Sequence, residues 1–300
     1  MNKKLHILIP FYQGHEVIDS CIQSIRIAAQ GLDYSIIIID NSPIRCSLKR
    51  QNDLEIILAK PSIGFARAIN IGVYQSSDAE FFLIVNQDAV IEKHCIHAFF
   101  DAYFTAKDPT SLYSPFLKNY SLKKPNLIFK NLTLNKFSSI QQDVNNHSSK
   151  DRYKIHFASG AALFFSLEFV SKHHLFDPNF YLYGEDDDLC FRVLKNGAQV
   201  YLCPKAIVGH DSGFAHSSEE VQKLRLIYKR NANVLLRLKH PSKYKESAFL
   251  YRVKSIAKAI ATLNFKSLNL YLKFDQNLKV LPDENLKHEV LKHVASDLSA

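Results

Sequence analysis

The first hundred residues alternate short apolar runs with segments of helical periodicity, and this alternation limits the fold more than any other feature of the chain. Strands are predicted over residues 5–10, 34–40, 54–59 and 80–89, and helices over residues 16–30, 65–77 and 93–107. Strands that alternate with helices imply crossover connections and a mostly parallel sheet. Because the strand segments are apolar almost throughout, we expect helices to cover both faces of the sheet.

Polar residues stand beyond the ends of three of the predicted strands. Tyr12, Asp40 and residues 86–88 each follow an apolar run. In parallel sheets ligands bind beyond the carboxyl ends of the strands, so we expect these residues to share one edge and to line a site. For Asp40 a simple turn is the alternative, because Asn, Ser and Pro follow it. The chain lacks GxGxxG after the first strand and lacks GxxxxGK[ST], which weakens the dinucleotide-oxidoreductase and P-loop interpretations.

Four consecutive acids, Glu185, Asp186, Asp187 and Asp188, precede a segment whose apolar residues have helical spacing. They are therefore expected on the first turn of a helix, where the macrodipole favours negative charge. Neighbouring charges repel, and desolvation raises carboxyl pKa values further, so such a cluster is costly without a cation or a chemical role. The alternative is that these residues are helix-start acids with no other role.

The composition is that of a globular protein, with 47% hydrophobic and 22% charged residues. No apolar run approaches the ~20 residues that cross a bilayer. The N-terminus is basic and then apolar, but the apolar part is short, contains Pro10 and lacks a small-residue cleavage site. We therefore interpret it as a first strand and not as a secretory signal. The five cysteines are scattered, which suits reduced thiols in the cytoplasm and argues against a disulfide framework or a zinc site.

The net charge of +9 is unevenly distributed. Residues 221–258 contain eleven lysines and arginines, one acid and four interleaved aromatic residues. This stretch is open to three interpretations: a solvated or packed helical face, a membrane-surface face, and a nucleic-acid face. Nucleic acid ranks last, because no recognition-helix, zinc-finger or RNA-binding signature accompanies the charge.

The middle of the chain changes character twice. Residues 117–154 are rich in Asn, Ser and Lys and are predicted to form a long excursion that covers a site. The following Ser159-Gly160-Ala161-Ala162 segment is small enough for a ligand to approach its backbone, and equally suited to tight packing against a neighbouring element. Beyond residue 211 the chain is predicted to be mostly helical.

Seven motifs follow one another along the chain: LIPFYQG, IIIIDNS, KPSIGFARAINIG, FFLIVNQDA, ASGAALFF, FDPNFYLYGEDDDLCFRV and YLCPKAIVGH. As an ordered set they resemble an inverting family 2 glycosyltransferase of the rhamnosyltransferase-like branch, over roughly residues 3–215. The resemblance implies a GT-A fold, which is a Rossmann-like α/β architecture with a mostly parallel sheet flanked by helices. It also implies a catalytic domain at residues 1–218, with a nucleotide-binding half at 1–90 and an acceptor-binding half at 91–218, followed by a basic helical extension at 219–300.

By this resemblance the nucleotide is held after the first two strands, in the segment that opens the second helix, and at the tip of the fourth strand. The residues in these places are Pro10, Tyr12, Asp40, Gly64, Phe65, Asn70, Asn86 and Gln87. Tyr12 would stack on the base and Asp40 would accept from its imino N–H. Gly64 would leave room beside a phosphate.

Asn86-Gln87-Asp88 occupies the place of the DxD metal motif of such enzymes, and His210 matches their later metal-binding histidine. The departing diphosphate needs its charge neutralised, and a bridging Mn²⁺ or Mg²⁺ would do this as a Lewis acid. Because Asn stands first in the motif, Asp88 would make the direct contact, and the strength of the metal dependence stays open. A lone histidine is otherwise more often structural.

Asp186 matches the catalytic base of these enzymes. An acceptor hydroxyl is a poor nucleophile, and a carboxylate can take its proton as the new bond forms. Glu185 and Asp188 would orient Asp186, the acceptor or Arg192, whereas Asp187 would be a solvated helix-start acid.

The resemblance predicts transfer of a sugar to a saccharide or lipid-linked acceptor in surface polysaccharide synthesis. The donor would be dTDP-rhamnose or a UDP-sugar, and no nucleic-acid partner is expected. A cytoplasmic location is implied, and docking of residues 221–258 on the inner face of the cell membrane is a further hypothesis. One alternative is a nucleotide-sugar-binding subunit of a polysaccharide assembly complex without turnover, which Asn86 permits. Another is a metal-dependent nucleotidyltransferase or phosphohydrolase, but the chain lacks the lysine- or glycine-rich phosphate loop that such an enzyme would need.

Overall fold

The computed structural model describes residues 4–119, 124–125, 150–210, 219–278 and 280–298. Most of the excursion predicted at residues 117–154 lies outside the described residues, and so does the domain boundary predicted at residue 218. Within the described ranges, no helix has the length and apolar character needed to cross a membrane.

One mixed sheet organises the fold. Its strands are β1 (Leu5–Phe11), β2 (Tyr34–Asp40), β3 (Leu54–Leu58), β4 (Phe81–Val85), β5 (Ala89–Ile91), β6 (Leu112–Asn119), β7 (Lys124–Pro125), β8 (Tyr153–Ile155), β9 (Ala162–Ser166) and β10 (Val200–His210). The strand order is β3-β2-β1-β4-β9-β6-β10-β5, with β7 beside β6 and β8 beside β10. The ladders β3-β2-β1-β4 and β6-β10 are parallel, and β9 is antiparallel to both β4 and β6. The predicted mostly parallel sheet is therefore confirmed, with one antiparallel strand in its middle.

Helices connect several of the successive strands, and most of the chain after β10 is helical in the described residues. They are α1 (Ile18–Ala28), α2 (Phe65–Gln75), α3 (Cys95–Ala106), α4 (Leu167–His173), α5 (Glu185–Lys195), α6 (Glu219–Lys239), α7 (Ala248–Ala261), α8 (Phe265–Asn277) and α9 (Leu286–Asp297). The first three match the predicted helices, with ends that differ by one or two residues. The acid cluster forms the first turn of α5, as its sequence predicted.

Two apolar layers cover the two faces of the sheet. On one face, α1 and α3 contribute buried residues such as Ile25 and Phe99. On the other face, α2 and α5 contribute Ile69 and Leu189, and α9 adds Val290 to the same core. Both faces are covered because the strands are apolar on both sides, and this covering leaves the carboxyl ends of the strands as the place where polar groups can gather.

The C-terminal helices pack on the rest of the molecule at two places. Helix α6 contacts Phe180 through Ala232 and Leu236 in a small separate core. Helix α9 lies against α2, where Arg67 Nε and Asp297 Oδ2 are 2.6 Å apart. The region predicted as a basic extension is therefore tied to the sheet by apolar contacts and by ion pairs.

Candidate active site

The tips of β1 and β4 are joined by one side chain. Gln87 accepts from Tyr12 N at 2.9 Å and donates to Tyr12 O at 3.0 Å. Gly14 makes this possible, because a Cβ at that position would lie 2.3 Å from Gln87 Cδ. The Tyr12 ring is left 43% exposed, on the side of the sheet edge where a planar ligand can reach it.

Asp88 and His210 meet at the same edge. The pairing of β5 with β10 places Ala89 opposite His210, which brings the preceding Asp88 beside the imidazole. His210 Nε2 lies 3.3 Å from Asp88 Oδ1 and 3.3 Å from Asn86 Nδ2. The two residues assigned to metal binding are thus neighbours, although 122 positions separate them in the sequence (210 − 88).

The donor set at this edge fits a cation that is shared with a substrate. The chain offers one carboxylate, Asp88, and one imidazole, His210, and Mg²⁺ in phosphate-transferring sites is commonly held by one or two carboxylates together with substrate oxygens and water. Among the described residues, no group of three or more His, Cys, Asp and Glu side chains forms a complete metal cage. Asn86 adds a neutral amide where a second carboxylate would stand.

Asp186 lies on the other side of a short backbone segment. Its Oδ2 accepts from Gly160 N at 3.2 Å, and its Oδ1 accepts from Asp187 N at 2.9 Å. The adjacent Ala161 O accepts from Asn86 N at 2.9 Å. Residues 160–161 therefore connect the carboxylate of Asp186 to the tip of β4, and each carboxylate oxygen can accept more than one hydrogen bond.

Gly160 itself is tightly packed. A Cβ there would lie 3.4 Å from the ring of Phe65 and 3.9 Å from Asp186 Cβ. Phe65 is predicted to line the donor pocket, and in the structure it packs between this glycine and Phe176, whose ring centroid is 5.6 Å away. This segment thus contacts two separate stretches of chain at ordinary van der Waals distance, and the two alternatives for its small residues both stay predictions.

Asp188 occupies a different environment from Asp186, two residues away. It is fully buried, and Arg192 Nε donates to its Oδ2 at 2.9 Å. Lys239 Nζ and His240 Nε2 each lie 2.8 Å from its Oδ1. Burial alone would raise the pKa of Asp188, but Arg192, His240 and Lys239 together hold it well below its ordinary range. Asp188 was predicted to orient Asp186, the acceptor or Arg192, and Arg192 is the partner found.

Lys239 extends this network to a second buried acid. Its Nζ lies 2.6 Å from Asp177 Oδ2. This lysine, at the end of α6, therefore bridges Asp177 and Asp188, the last residue of the acid cluster. Arg192 also donates to the carbonyls of His173, at 2.6 Å, and Leu175, at 2.5 Å. Opposite charges that are paired and hydrogen-bonded in this way can remain ionised without water. Glu185, the first acid of the cluster, is buried as well.

Helix α6 lies directly over the segment that precedes the acids. Gly184 has φ 83°, and a Cβ there would lie 3.0 Å from Ala232 Cβ. The rings of Tyr181 and Tyr228 are 4.6 Å apart. Burial, with the neighbouring phenols of Tyr228 and Tyr12, raises the pKa of Tyr181 to about 12. The ring contact between Tyr181 and Tyr228 therefore links the segment before the acids to α6.

Two of the predicted nucleotide-binding residues, Asp40 and Asn70, have their polar side chains directed toward the protein. Asp40 is fully buried, and its two oxygens accept from Ser42 N at 3.0 Å and Cys46 N at 2.8 Å. Asn70 is buried and exchanges hydrogen bonds of 2.8 and 3.1 Å with the Phe176 backbone. These contacts fold a loop and fix a chain crossing, so a base contact by Asp40 stays a prediction.

The presence of glycine at position 64 and of proline at position 10 is also explained by the fold. Gly64 has φ 89°, and a Cβ there would lie 2.3 Å from the carbonyl oxygen of Tyr181, so the close neighbour seen is backbone of the acid segment. Pro10 lies buried in β1 beyond Leu8, where pairing with β4 has ended, so its missing N–H removes no bond from that ladder.

The residues that the sequence did not single out are Gly14, Tyr181, Tyr228, Lys239 and His240. Gly14 and Tyr181 lie within the motifs LIPFYQG and FDPNFYLYGEDDDLCFRV, which could have drawn attention to them. The others come from α6 and the residue after it, and the basic stretch that contains them gave no sign of which charges turn inward.

Neither a protein-family model nor a curated protein matches the chain. Among solved structures it resembles GalNAc-T7 crystallised with UDP, GalNAc and Mn²⁺, with a TM-score of 0.60 and 15% sequence identity over 98% of this chain. The chain spans 57% of the length of that protein. Two structures of S. aureus TarS align with a TM-score of 0.49, at 11% identity over 83% of this chain and 41% of TarS, and at 14% identity over 97% of this chain and 80% of the 1–349 form. The likeness to GalNAc-T7 establishes the fold: this chain has the GT-A architecture.

Proposed function

We propose that this chain is an inverting glycosyltransferase that moves a sugar from a nucleotide donor to a saccharide or lipid-linked acceptor. One observation carries the proposal: residues 160–161 hold Asp186 on one side and the Asn86 tip on the other, with Asp88 and His210 beside that tip. This arrangement provides a base and a diphosphate-binding edge around one short segment, within a fold that is used for sugar transfer in GalNAc-T7.

Asp186 is assigned the role of base. The acceptor hydroxyl donates its hydrogen bond to the Asp186 carboxylate, which takes the proton as the oxygen attacks the anomeric carbon. Attack from the face opposite the departing nucleoside diphosphate inverts that carbon. Gly160 N–H and Asp187 N–H hold the carboxylate in place, at 3.2 and 2.9 Å, before and after it is protonated.

Asp88 and His210 are assigned to a divalent cation, Mn²⁺ or Mg²⁺, which when bound neutralises the charge of the diphosphate leaving group. Tyr12, exposed and fixed at its backbone by Gln87, is assigned to stacking on the base. Pro10, Gly64 and Phe65 shape the walls of this region. The sugar donor that we propose is dTDP-rhamnose or a UDP-sugar, with a role in surface polysaccharide synthesis at the cytoplasmic side of the membrane.

The test is a thermal-shift series with UDP and dTDP, each with Mn²⁺, Mg²⁺ or EDTA, followed by donor-turnover assays with the preferred base. Stabilisation by a nucleoside diphosphate that requires the cation and is lost in Asp88→Asn is the expected result. At a ligand concentration 100 times Kd, the stabilisation amounts to about 2.7 kcal/mol. The absence of any shift with every nucleotide and cation would refute the proposal.

A second candidate is a nucleotide-sugar-binding subunit without turnover. The observation that favours it is the amide of Asn86, which faces His210 at 3.3 Å where a carboxylate would add charge to a cation site. Donor hydrolysis that stops on addition of EDTA separates the two, because only the enzyme releases nucleoside diphosphate. Release of pyrophosphate instead would point to a nucleotidyltransferase.

A further inference from the structure

Helix α7 packs on its neighbours through a mixed face, on which Ala248 and Ala259 are buried while Arg252 and Ser255 make polar contacts. Arg230 of α6 donates to Ser255 Oγ at 3.0 Å, and Arg252 Nε lies 3.5 Å from Asp275 Oδ1 of α8. The ring of Tyr251 stacks on the guanidinium of Arg237 at 4.1 Å. These contacts join α6, α7 and α8 into one layer. They use three arginines and one aromatic residue of the stretch 221–258 within the protein.

The outward face of α7 is apolar. Phe249 is 73% exposed, and Leu250, Val253 and Ile260 are also exposed. Residues 249, 253 and 260 recur at intervals of four and seven, so they form one stripe along the helix. Such a stripe is costly in water and marks a contact surface.

The turn between α7 and α8 continues the stripe. Leu263 is 72% exposed with φ 51°, and Phe265 is 65% exposed. We call these two residues, together with Phe249, Leu250, Val253 and Ile260, the α7 stripe. It consists of four aliphatic and two aromatic exposed side chains.

Positive charge borders the α7 stripe. Lys245, Lys254 and Lys258 are exposed along or just before the same helix. Between residues 245 and 273 the chain has six lysines and arginines and one acid, Glu246, which lies 2.6 Å from Lys254. A second copy of this surface would bring like charges together, whereas an anionic surface would be attracted to them.

We propose that the α7 stripe docks this protein on an anionic lipid membrane, with the helix lying in the plane of the headgroups. Helices with an apolar face of Phe and Leu and bordering lysines bind in this way, through burial of the apolar side chains and attraction of the basic ones. Lipid-linked saccharides reside in such a surface, but the inference does not depend on the proposed transfer reaction. It locates the contact on α7 and the start of α8, and not on α6, whose Arg230 and Arg237 make contacts within the protein.

The test uses the full chain and sedimentation with vesicles of phosphatidylcholine alone and with about one third phosphatidylglycerol. Binding is expected to the anionic vesicles, to weaken as salt rises, and to be at least about tenfold weaker in Phe249→Ser/Leu263→Ser/Phe265→Ser. Lys245→Gln/Lys258→Gln is expected to weaken binding to anionic vesicles by about 30-fold at low salt. Ile44→Ser, which removes an equally exposed apolar side chain in the loop after β2, is the matched control and should bind like the parent chain.

Three outcomes would overturn the proposal. Parent chain that stays in the supernatant with anionic vesicles at low salt excludes the membrane as the partner. Binding that neither the apolar nor the lysine variant weakens, or that Ile44→Ser weakens equally, means that another surface is responsible. Sedimentation velocity that finds a dimer, which the apolar variant dissociates, without vesicle binding would make the α7 stripe a contact between copies.

Discussion

The first turn of α5 has two sides that differ in nearly every physical respect. On the side of the sheet edge, Asp186 is half-buried and accepts from the backbone N–H groups of Gly160 and Asp187. On the side of the C-terminal helices, Asp188 is fully buried and surrounded by Arg192, Lys239 and His240. The two carboxylates are separated by one residue, so the helix itself turns one toward the Gly160 segment and the other into the protein.

The two carboxylates therefore differ in function: Asp186 is proposed to act in the reaction, whereas Asp188 stabilises the fold. A carboxylate that serves as a base must reach its substrate and take a proton, and this is the role proposed for Asp186. A buried carboxylate that compensates two or three cations cannot give up its charge without leaving them unpaired. The partners of Asp188 at the end of α6 therefore hold the start of α5, which carries Asp186, in place.

The largest effect is expected from Asp186→Asn. The amide keeps the size of the side chain but cannot take a proton, so we expect turnover to fall by about 10²- to 10⁴-fold while the free energy of unfolding changes by less than about 1 kcal/mol. Donor consumption with acceptor present, and urea unfolding, measure the two quantities. Unchanged turnover would mean that Asp186 is not the base, and the functional difference between Asp186 and Asp188 would then be refuted.

The opposite profile is expected from Asp188→Ala. Removing this charge leaves Arg192 and Lys239 buried beside one fewer carboxylate, and breaking a buried pair costs about 3–5 kcal/mol of unfolding free energy. Asp187→Ala, on the half-exposed position between the two, is the control and should cost less than about 1 kcal/mol. Equal and small losses in both variants would mean that the buried network contributes little to stability.

The pattern of strands and helices was readable from the sequence because it rests on local periodicity. Continuous apolar runs predicted strands β1 to β4, and apolar residues at helical spacing predicted helices α1 to α3. The parallel order follows from the alternation of these strands and helices. The antiparallel direction of β9 was not predicted, because its five consecutive buried residues carry no directional signal. Its place between β4 and β6 depends on pairings that only the folded chain defines.

The site was harder to predict from the sequence than the fold, because the residues that form it lie far apart along the chain. Asp88 and His210 were paired by resemblance, and nothing in the spacing of the chain required them to meet. His240 lies 52 residues beyond Asp188, in a stretch whose charge suggested a surface. A periodic pattern assigns residues to faces of a helix, but it does not tell whether a basic face meets water or a buried acid.

The buried side is also expected to govern the response of stability to pH. His173, whose carbonyl binds Arg192, donates from Nε2 to Thr110 O at 3.0 Å. Burial lowers the pKa of its ring to about 4. The unfolded chain therefore binds more protons between about pH 6.5 and 4, and stability should fall by about 3 kcal/mol as the pH drops through that window.

Asp188 contributes in a different window. Its pKa is held well below the ordinary range, so its stabilising contribution is present above about pH 4 and is lost only as the pH falls toward the folded value. Urea unfolding of the parent chain and of His173→Gln at several pH values separates the two. The variant should have a shallower slope between pH 6.5 and 4, and an unchanged slope would show that other groups set it.

The smallest effect is expected where α6 touches the start of α5. Gly184 and Gly197 have nearly the same backbone angle, φ 83° and 80°, but a Cβ at Gly184 meets Ala232 at 3.0 Å whereas a Cβ at Gly197 meets nothing within 4 Å. Both Ala variants suffer the left-handed backbone cost of about 1 kcal/mol, and Gly184→Ala should lose about 1 kcal/mol more through the displaced helix. Because α6 carries Lys239, that displacement should also lower the turnover supported by Asp186, which Gly197→Ala should leave unchanged. Equal losses of stability in the two variants would mean that α6 is not pressed against this turn, and the link between the two sides of α5 would then have to lie elsewhere.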